Sequence, residues 1–149
     1  MEHVTYRGAV HLHHLDHMGH MNVQHYVGMF DHATWILIAE LGLTAEWFRE
    51  QNCGMAALEQ NIQYKRELRA GDVIEIHSGV LELGNKTMRI THEMRHFTGG
   101  WVAAPGVSRT VERMASLVGI QPIDEDSPEI RRSLMVALPT PSGRKFASN

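Results

Sequence analysis

A run of apolar residues beginning at Val23 constrains this chain more than any other feature. Val23, Tyr26, Phe30, Ala33, Leu37 and Leu41 recur at three- or four-residue steps, the period of one face of an α-helix. Asn22 stands where it can cap the first turn by accepting a backbone N–H, and Gly42 can take the left-handed conformation that ends the helix. At roughly 1.5 Å per residue such a helix is about 30 Å long, the diameter of a small domain. Val27, Met29, Trp35, Ile36 and Ile38 add apolar surface away from the main stripe, so burial on more than one side is expected. The rest of the chain has to supply the cover.

Most of that cover lies downstream. Thr44 is placed to cap a short helical stretch reaching Glu50, anchored by Trp47 and Phe48. Strand signals follow. Leu58, Ile62 and Tyr64 share one parity, and Ala70-Gly71-Asp72 punctuates the chain before Val73 to Leu83. Gly84-Asn85 is a two-residue hairpin signal, after which Met88, Ile90, His92 and Met94 alternate with polar neighbours as a half-buried strand. His92 and His96 share that parity, which suits one hydrogen-bonded histidine inside the sheet. Thr98-Gly99-Gly100 turns into Trp101 to Met114, where Pro105-Gly106 implies a bulge or an edge position. With Val4 to His13 this makes about five strands. The order predicts an α+β class in which one curved antiparallel sheet covers one long helix. Residues 1–120 read as one domain. Asp126-Ser127-Pro128-Glu129 opens a short helix within a C-terminal extension, 121–149, whose end is expected to be a flexible tail.

Composition narrows the function classes. At 149 residues and 43% hydrophobic the chain suffices for one domain with a core. Fourteen basic residues against 17 acidic ones give a net charge of -3 with no run of cations, which disfavours nucleic acid and anionic lipid as partners. Cys53 is the only cysteine, so neither an intrachain disulfide nor a Cys-rich metal site is available, and a reducing cytoplasm fits. It reads as a small buried hydrophobe. Glu2, His3, Tyr6 and Arg7 do not make a signal peptide, and Asp31, His32 and Glu40 break the longest apolar-rich stretch as a membrane span.

The chemistry sits where the long helix begins. The run from His11 to Asn22 brings Asp16, Gly19 and several imidazoles to a helix N-terminus, whose first N–H groups lack internal partners and face the positive end of the dipole. Such a place suits an oxyanion, and a carboxylate beside it can attack a carbonyl or deprotonate water. The plainer reading is that Asp16 and Asn22 only cap the helix.

Asp16-His-Met-Gly19-His20-Met-Asn22, followed by Tyr26, Phe30 and Ala33, resembles the helix-start signature of hot dog fold acyl-CoA thioesterases of the 4-hydroxybenzoyl-CoA thioesterase-like type. The resemblance spans roughly Tyr6 to Met114. It implies that Asp16 is the nucleophile on a thioester carbonyl or the base for water. It places the oxyanion donor, a backbone N–H, on or near Val23, with Gly19 at the turn and His20 and Asn22 shaping the loop. Tyr26 falls among the substrate-binding positions. Many relatives carry a second asparagine where this chain has Val23. His92-Glu93-Met94-Arg95 is similar to thioesterases acting on betainyl-CoA. The resemblance further implies a cytoplasmic homodimer or dimer of dimers with sites shared between subunits, and no cofactor.

Lys65, Arg66 and Arg69 can receive coenzyme A phosphates, held by one subunit for a thioester bound mainly to the other. Most of the 11 histidines lie between His3 and His32, and pairs such as His11 with His13 on one strand face, or His17 with His20, raise the possibility of a metal. No metal is expected, because no His-Glu-x-x-His pattern supports one. The alternative function is a non-catalytic acyl-ligand binding protein on the same fold, and a third is a dehydratase using His25, Asp31, His32 or Glu40.

Overall fold

The apolar period from Val23 becomes helix α1, Val23–Glu40, in a computed structural model that describes residues 3–52, 54–57, 59–84 and 87–113. The Asn22 side chain accepts the Gln24 N–H at 3.1 Å, the expected cap. Gly42 ends the helix at φ +87°, and the Leu43 N–H reaches back to the Ile38 carbonyl at 3.0 Å, which uses up a carbonyl the helix leaves open. Helix α2, Ala45–Glu50, starts as expected with the Thr44 side chain accepting the Trp47 N–H.

Five strands form one antiparallel sheet in the order β1-β3-β4-β5-β2: β1 His3–Ala9, β2 Ala56–Ala57, β3 Val73–Leu83, β4 Thr87–His96 and β5 Val102–Arg113. Alternation decides which face meets α1. Ile74, Ile76, Ser78 and Val80 of β3, with Met88, Ile90, His92 and Met94 of β4, are all buried. Two apolar clusters result. One, with Leu37, Ile38, Phe48, Val80 and Ile90, lies toward the end of α1. The other, with Met21, Phe30, Ala33, Leu68, Ile76 and Met94, lies under its start. Each fully buried large side chain, such as Phe30 or Ile38, stabilises the fold by roughly 1.5–3 kcal/mol.

Between the clusters is a closed polar network. His92 is 1% exposed, its Nε2 2.9 Å from Thr34 Oγ1 and its Nδ1 2.5 Å from Ser78 Oγ, and Ser78 Oγ lies 2.6 Å from Thr5 Oγ1. The Thr34 hydroxyl donates to the Phe30 carbonyl, so it accepts from His92 Nε2–H, which leaves Nδ1 to accept from Ser78. This is the buried histidine that the strand parity implied.

Three expectations are corrected. The first strand ends at Ala9, not His13: Leu12–His14 form a 3₁₀ turn with His14 N–H on the His11 carbonyl, so His11 and His13 share no strand face. The parity of Ile62 and Tyr64 yields no strand, and the backbone that follows goes elsewhere, the Lys65 and Arg66 N–H groups crossing to the Ala103 carbonyl at 2.9 and 3.0 Å instead of forming a ladder; Leu58 lies outside the described residues. Nor is α1 wrapped. Its outer face leaves Val23, Val27, Trp35 and Ile36 exposed, since one sheet covers only one side. Pro105 does sit at an irregularity: the partners of Ile90 and His92 jump from Thr110 to Gly106, which tolerates its missing N–H. Cys53, Asn85 and residues 114–149, with the helix and tail expected there, lie outside the described residues.

Candidate active site

The loop before α1 is a small hairpin closed on itself. Leu15 and Met21 form a β-bridge, Asp16 N–H donates to the His20 carbonyl at 2.9 Å, and Gly19 N–H donates to the Asp16 carbonyl at 3.0 Å. Gly19 sits at φ +80°, where a side chain would be strained. Asp16 Oδ1 accepts the Met18 N–H at 2.8 Å and the His20 N–H at 3.5 Å, while Oδ2 has no partner among the described residues. The carboxylate is therefore oriented through one oxygen and open at the other.

That geometry separates the two readings of the acid and the amide. Asn22 is the helix cap. Asp16 bonds only within its own turn and touches no helix N–H. In the first helical turn, Gln24 N–H goes to Asn22 Oδ1 and His25 N–H to the Asn22 carbonyl, which leaves the Val23 N–H without a partner among the described residues.

The loop is fastened to the segment that precedes β3. Met21 N–H donates to the Leu68 carbonyl at 2.8 Å, and His20 Nε2 lies 3.0 Å from Glu67 Oε2. Along that segment Lys65, Arg66 and Arg69 are exposed and line an open groove of about 530 Å³ with Glu67, Asp72 and Trp101. The basic stretch thus adjoins the Asp16 loop of its own chain. Tyr26 is buried, edge-on to Tyr64 at 5.1 Å, and burial pushes its hydroxyl up to about 12. The imidazoles of His11, His13, His14 and His25 gather beside the loop with ring centres 4.1–6.5 Å apart. Partial burial and the neighbouring histidines together hold His14 below its ordinary range. Among the described residues no group of three or more His, Cys, Asp or Glu is arranged to hold a metal.

The profile of the thioesterase-like superfamily matches residues 10–118, which takes in this loop, α1 and the strands β2 to β5. The chain belongs to that superfamily. Comparison with curated proteins finds no match. Solved structures share the fold. The probable thioesterase YbaW of Escherichia coli superposes with a TM-score of 0.73 at 21% identity, over 91% of this chain and 98% of that one. A Staphylococcus aureus protein solved in complex with CoA gives 0.72 at 18%, over 100% and 98%. The DHNA-CoA thioesterase of Staphylococcus aureus gives 0.73 at 15%, over 88% and 87%. Identities this low carry the architecture, the hot dog fold, and nothing finer.

In this thioesterase-like chain the loop brings Asp16, Gly19, His20, Asn22 and Val23 together. Tyr26 lies one helical turn into the core, and the three basic residues lie along the groove. Sequence reading missed Glu67, which stands 47 positions from His20 and carries no motif. It missed Trp101 too, whose only signal was its place directly after two glycines. Among the described residues no helix is long and apolar enough to cross a membrane.

Proposed function

We propose that the chain hydrolyses an acyl-CoA thioester to the free acid and CoA. The observation that carries this reading is the pairing of an oriented carboxylate, with Oδ2 of Asp16 open, and an unpartnered Val23 N–H at the start of α1. Superfamily membership supports the reaction class. As general base, Asp16 Oδ2 takes a proton from water whose oxygen bonds to the thioester carbon. The tetrahedral oxyanion accepts from the Val23 N–H at the positive end of the helix dipole. Collapse breaks the C–S bond, and the CoA sulfur leaves with the proton held on Asp16. As nucleophile, Oδ2 itself bonds to the carbon, CoA leaves, and water opens the resulting anhydride. Gly19, His20 and Asn22 hold the loop. Tyr26 bounds the site from below, and Lys65, Arg66 and Arg69 meet the phosphates of CoA. The active unit is a homodimer or a dimer of dimers, which the outer edge of β1, unpaired among the described residues, and the exposed apolar face of α1 support.

Asp16→Asn keeps the Oδ1 acceptor of the turn and removes both chemical roles. Turnover on the preferred thioester should fall at least about a hundredfold while the melting temperature stays put. Thiol release across short, branched, aromatic and quaternary-ammonium acyl-CoAs identifies that thioester and tests the betainyl subgroup. Near-normal turnover by Asp16→Asn would reduce Asp16 to a residue of the turn and leave an acyl-ligand binder.

A further inference from the structure

The groove beside the Asp16 loop contains a built feature that hydrolysis itself does not use. Arg66 Cζ stands 4.2 Å from the centre of the Trp101 ring, and Trp101 is stacked on His96 with ring centres 4.6 Å apart and planes 14° apart. The His96 ring is held at both nitrogens: Nδ1 accepts the Gly99 N–H at 2.9 Å, and Nε2 faces Asp72 Oδ1 at 3.5 Å. Asp72 is fixed in turn, its Oδ2 accepting the Arg69 N–H at 2.8 Å. Gly99 belongs to the same device, because a methyl group at that position would run into the Trp101 indole and the His96 ring. The backbone beneath Arg66 is pinned by the two N–H groups on the Ala103 carbonyl.

A guanidinium that lies on an indole uses its π face and keeps its in-plane N–H donors free. Neither Lys65, Arg66 nor Arg69 has a carboxylate partner among the described residues, while the two carboxylates of the groove face histidines, Glu67 toward His20 and Asp72 toward His96. The groove, about 530 Å³, is the size of a small-ligand cleft. Three cations within five residues, none paired with a carboxylate among the described residues and one of them a planar fork mounted on a ring, match a ligand with separated phosphates better than a single carboxylate.

We infer that Trp101, set by His96 and Asp72, is a positioning residue that holds Arg66 as the seat for the nucleotide end of the carrier. The chain therefore selects thioesters of CoA over thioesters of a bare pantetheine arm. This rests on the thioesterase reading for its substrate, and its test does not depend on turnover alone. Free CoA and adenosine 3′,5′-bisphosphate are titrated calorimetrically into the protein and into Arg66→Ala, Arg66→Lys, Trp101→Leu, Trp101→Phe and Gly99→Ala. Arg66→Ala, Trp101→Leu and Gly99→Ala should each weaken both ligands about tenfold, the value of one charge-assisted hydrogen bond. Trp101→Phe should restore most of the affinity, because it keeps a ring under the fork. Arg66→Lys should behave like Arg66→Ala, since it keeps the charge and loses the plane. In turnover, the ratio of kcat/KM for an acyl-CoA to that for the matching acyl-pantetheine should fall by the same factor in the weakened variants. Nucleotide binding that survives Arg66→Ala, or a fully competent Arg66→Lys, overturns the platform. An equal kcat/KM for the two thioesters in the unaltered protein overturns the selectivity. If no thioester is cleaved but both ligands bind through Arg66 and Trp101, the hydrolytic reading fails and the seat stands.

Discussion

His92 shows what one enclosed side chain does to the whole fold. Burial alone pushes its imidazole down from 6.5 to about 4, and both nitrogens are already committed to Thr34 and Ser78 as a neutral ring. Between those two pH values the unfolded chain binds a proton that the folded chain refuses. Stability from this residue is therefore complete above about pH 6.5 and is lost as pH falls toward about 4, by about 3 kcal/mol in all. Denaturant melts at intervals between pH 7.5 and 4.5 should show that slope, and His92→Gln should remove it while lowering stability at neutral pH. A wild-type slope that persists unchanged in His92→Gln would assign the acid sensitivity to other groups. The same residue shows how far sequence reads into a site: parity put His92 inside the sheet, but its partners lie 14 and 58 positions away and only the fold could name them.

At the scale of elements, the ends of α1 and the start of α2 were readable because caps act within a few residues. Asn22, Gly42 and Thr44 each do what their chemistry suggested. Thr44→Ala should cost about 1 kcal/mol, and Gly42→Ala about 1–2 kcal/mol because it forces a side chain to φ +87°. Chemical denaturation of each variant measures both, and a neutral Gly42→Ala would mean that the helix stops without that conformation. The failures were long-range. The parity of Leu58, Ile62 and Tyr64 looked like strand, yet Ile62 and Tyr64 lie in none, and the backbone just after them is claimed by β5, through Lys65 and Arg66 on Ala103, and by the Asp16 loop, at Leu68. His11 and His13 left the strand for the same kind of reason. Their turn supplies the His14 carbonyl that takes the Asn22 N–H, so the chain gives up a ladder to set the start of the helix.

For the molecule as a whole, the exposed residues Val23, Val27, Trp35 and Ile36 along α1 and an edge of β1 that pairs with nothing among the described residues leave those residues incompletely covered. Light scattering at assay concentration should find at least a dimer. A monomer with full thioesterase activity would remove the basis for assembly.

The fastening of Lys65 and Arg66 to Ala103 bears on what such assembly can become. Among the described residues the sheet beyond β5 has only the two residues of β2 and this pair of amide bonds, too little to template another strand. Among the described residues the β1 edge is the longer template for a neighbour. A sheet extended through that edge alone is complete after one added copy, so a dimer of dimers would have to be built through other faces, and a sheet-to-sheet fibre is not expected.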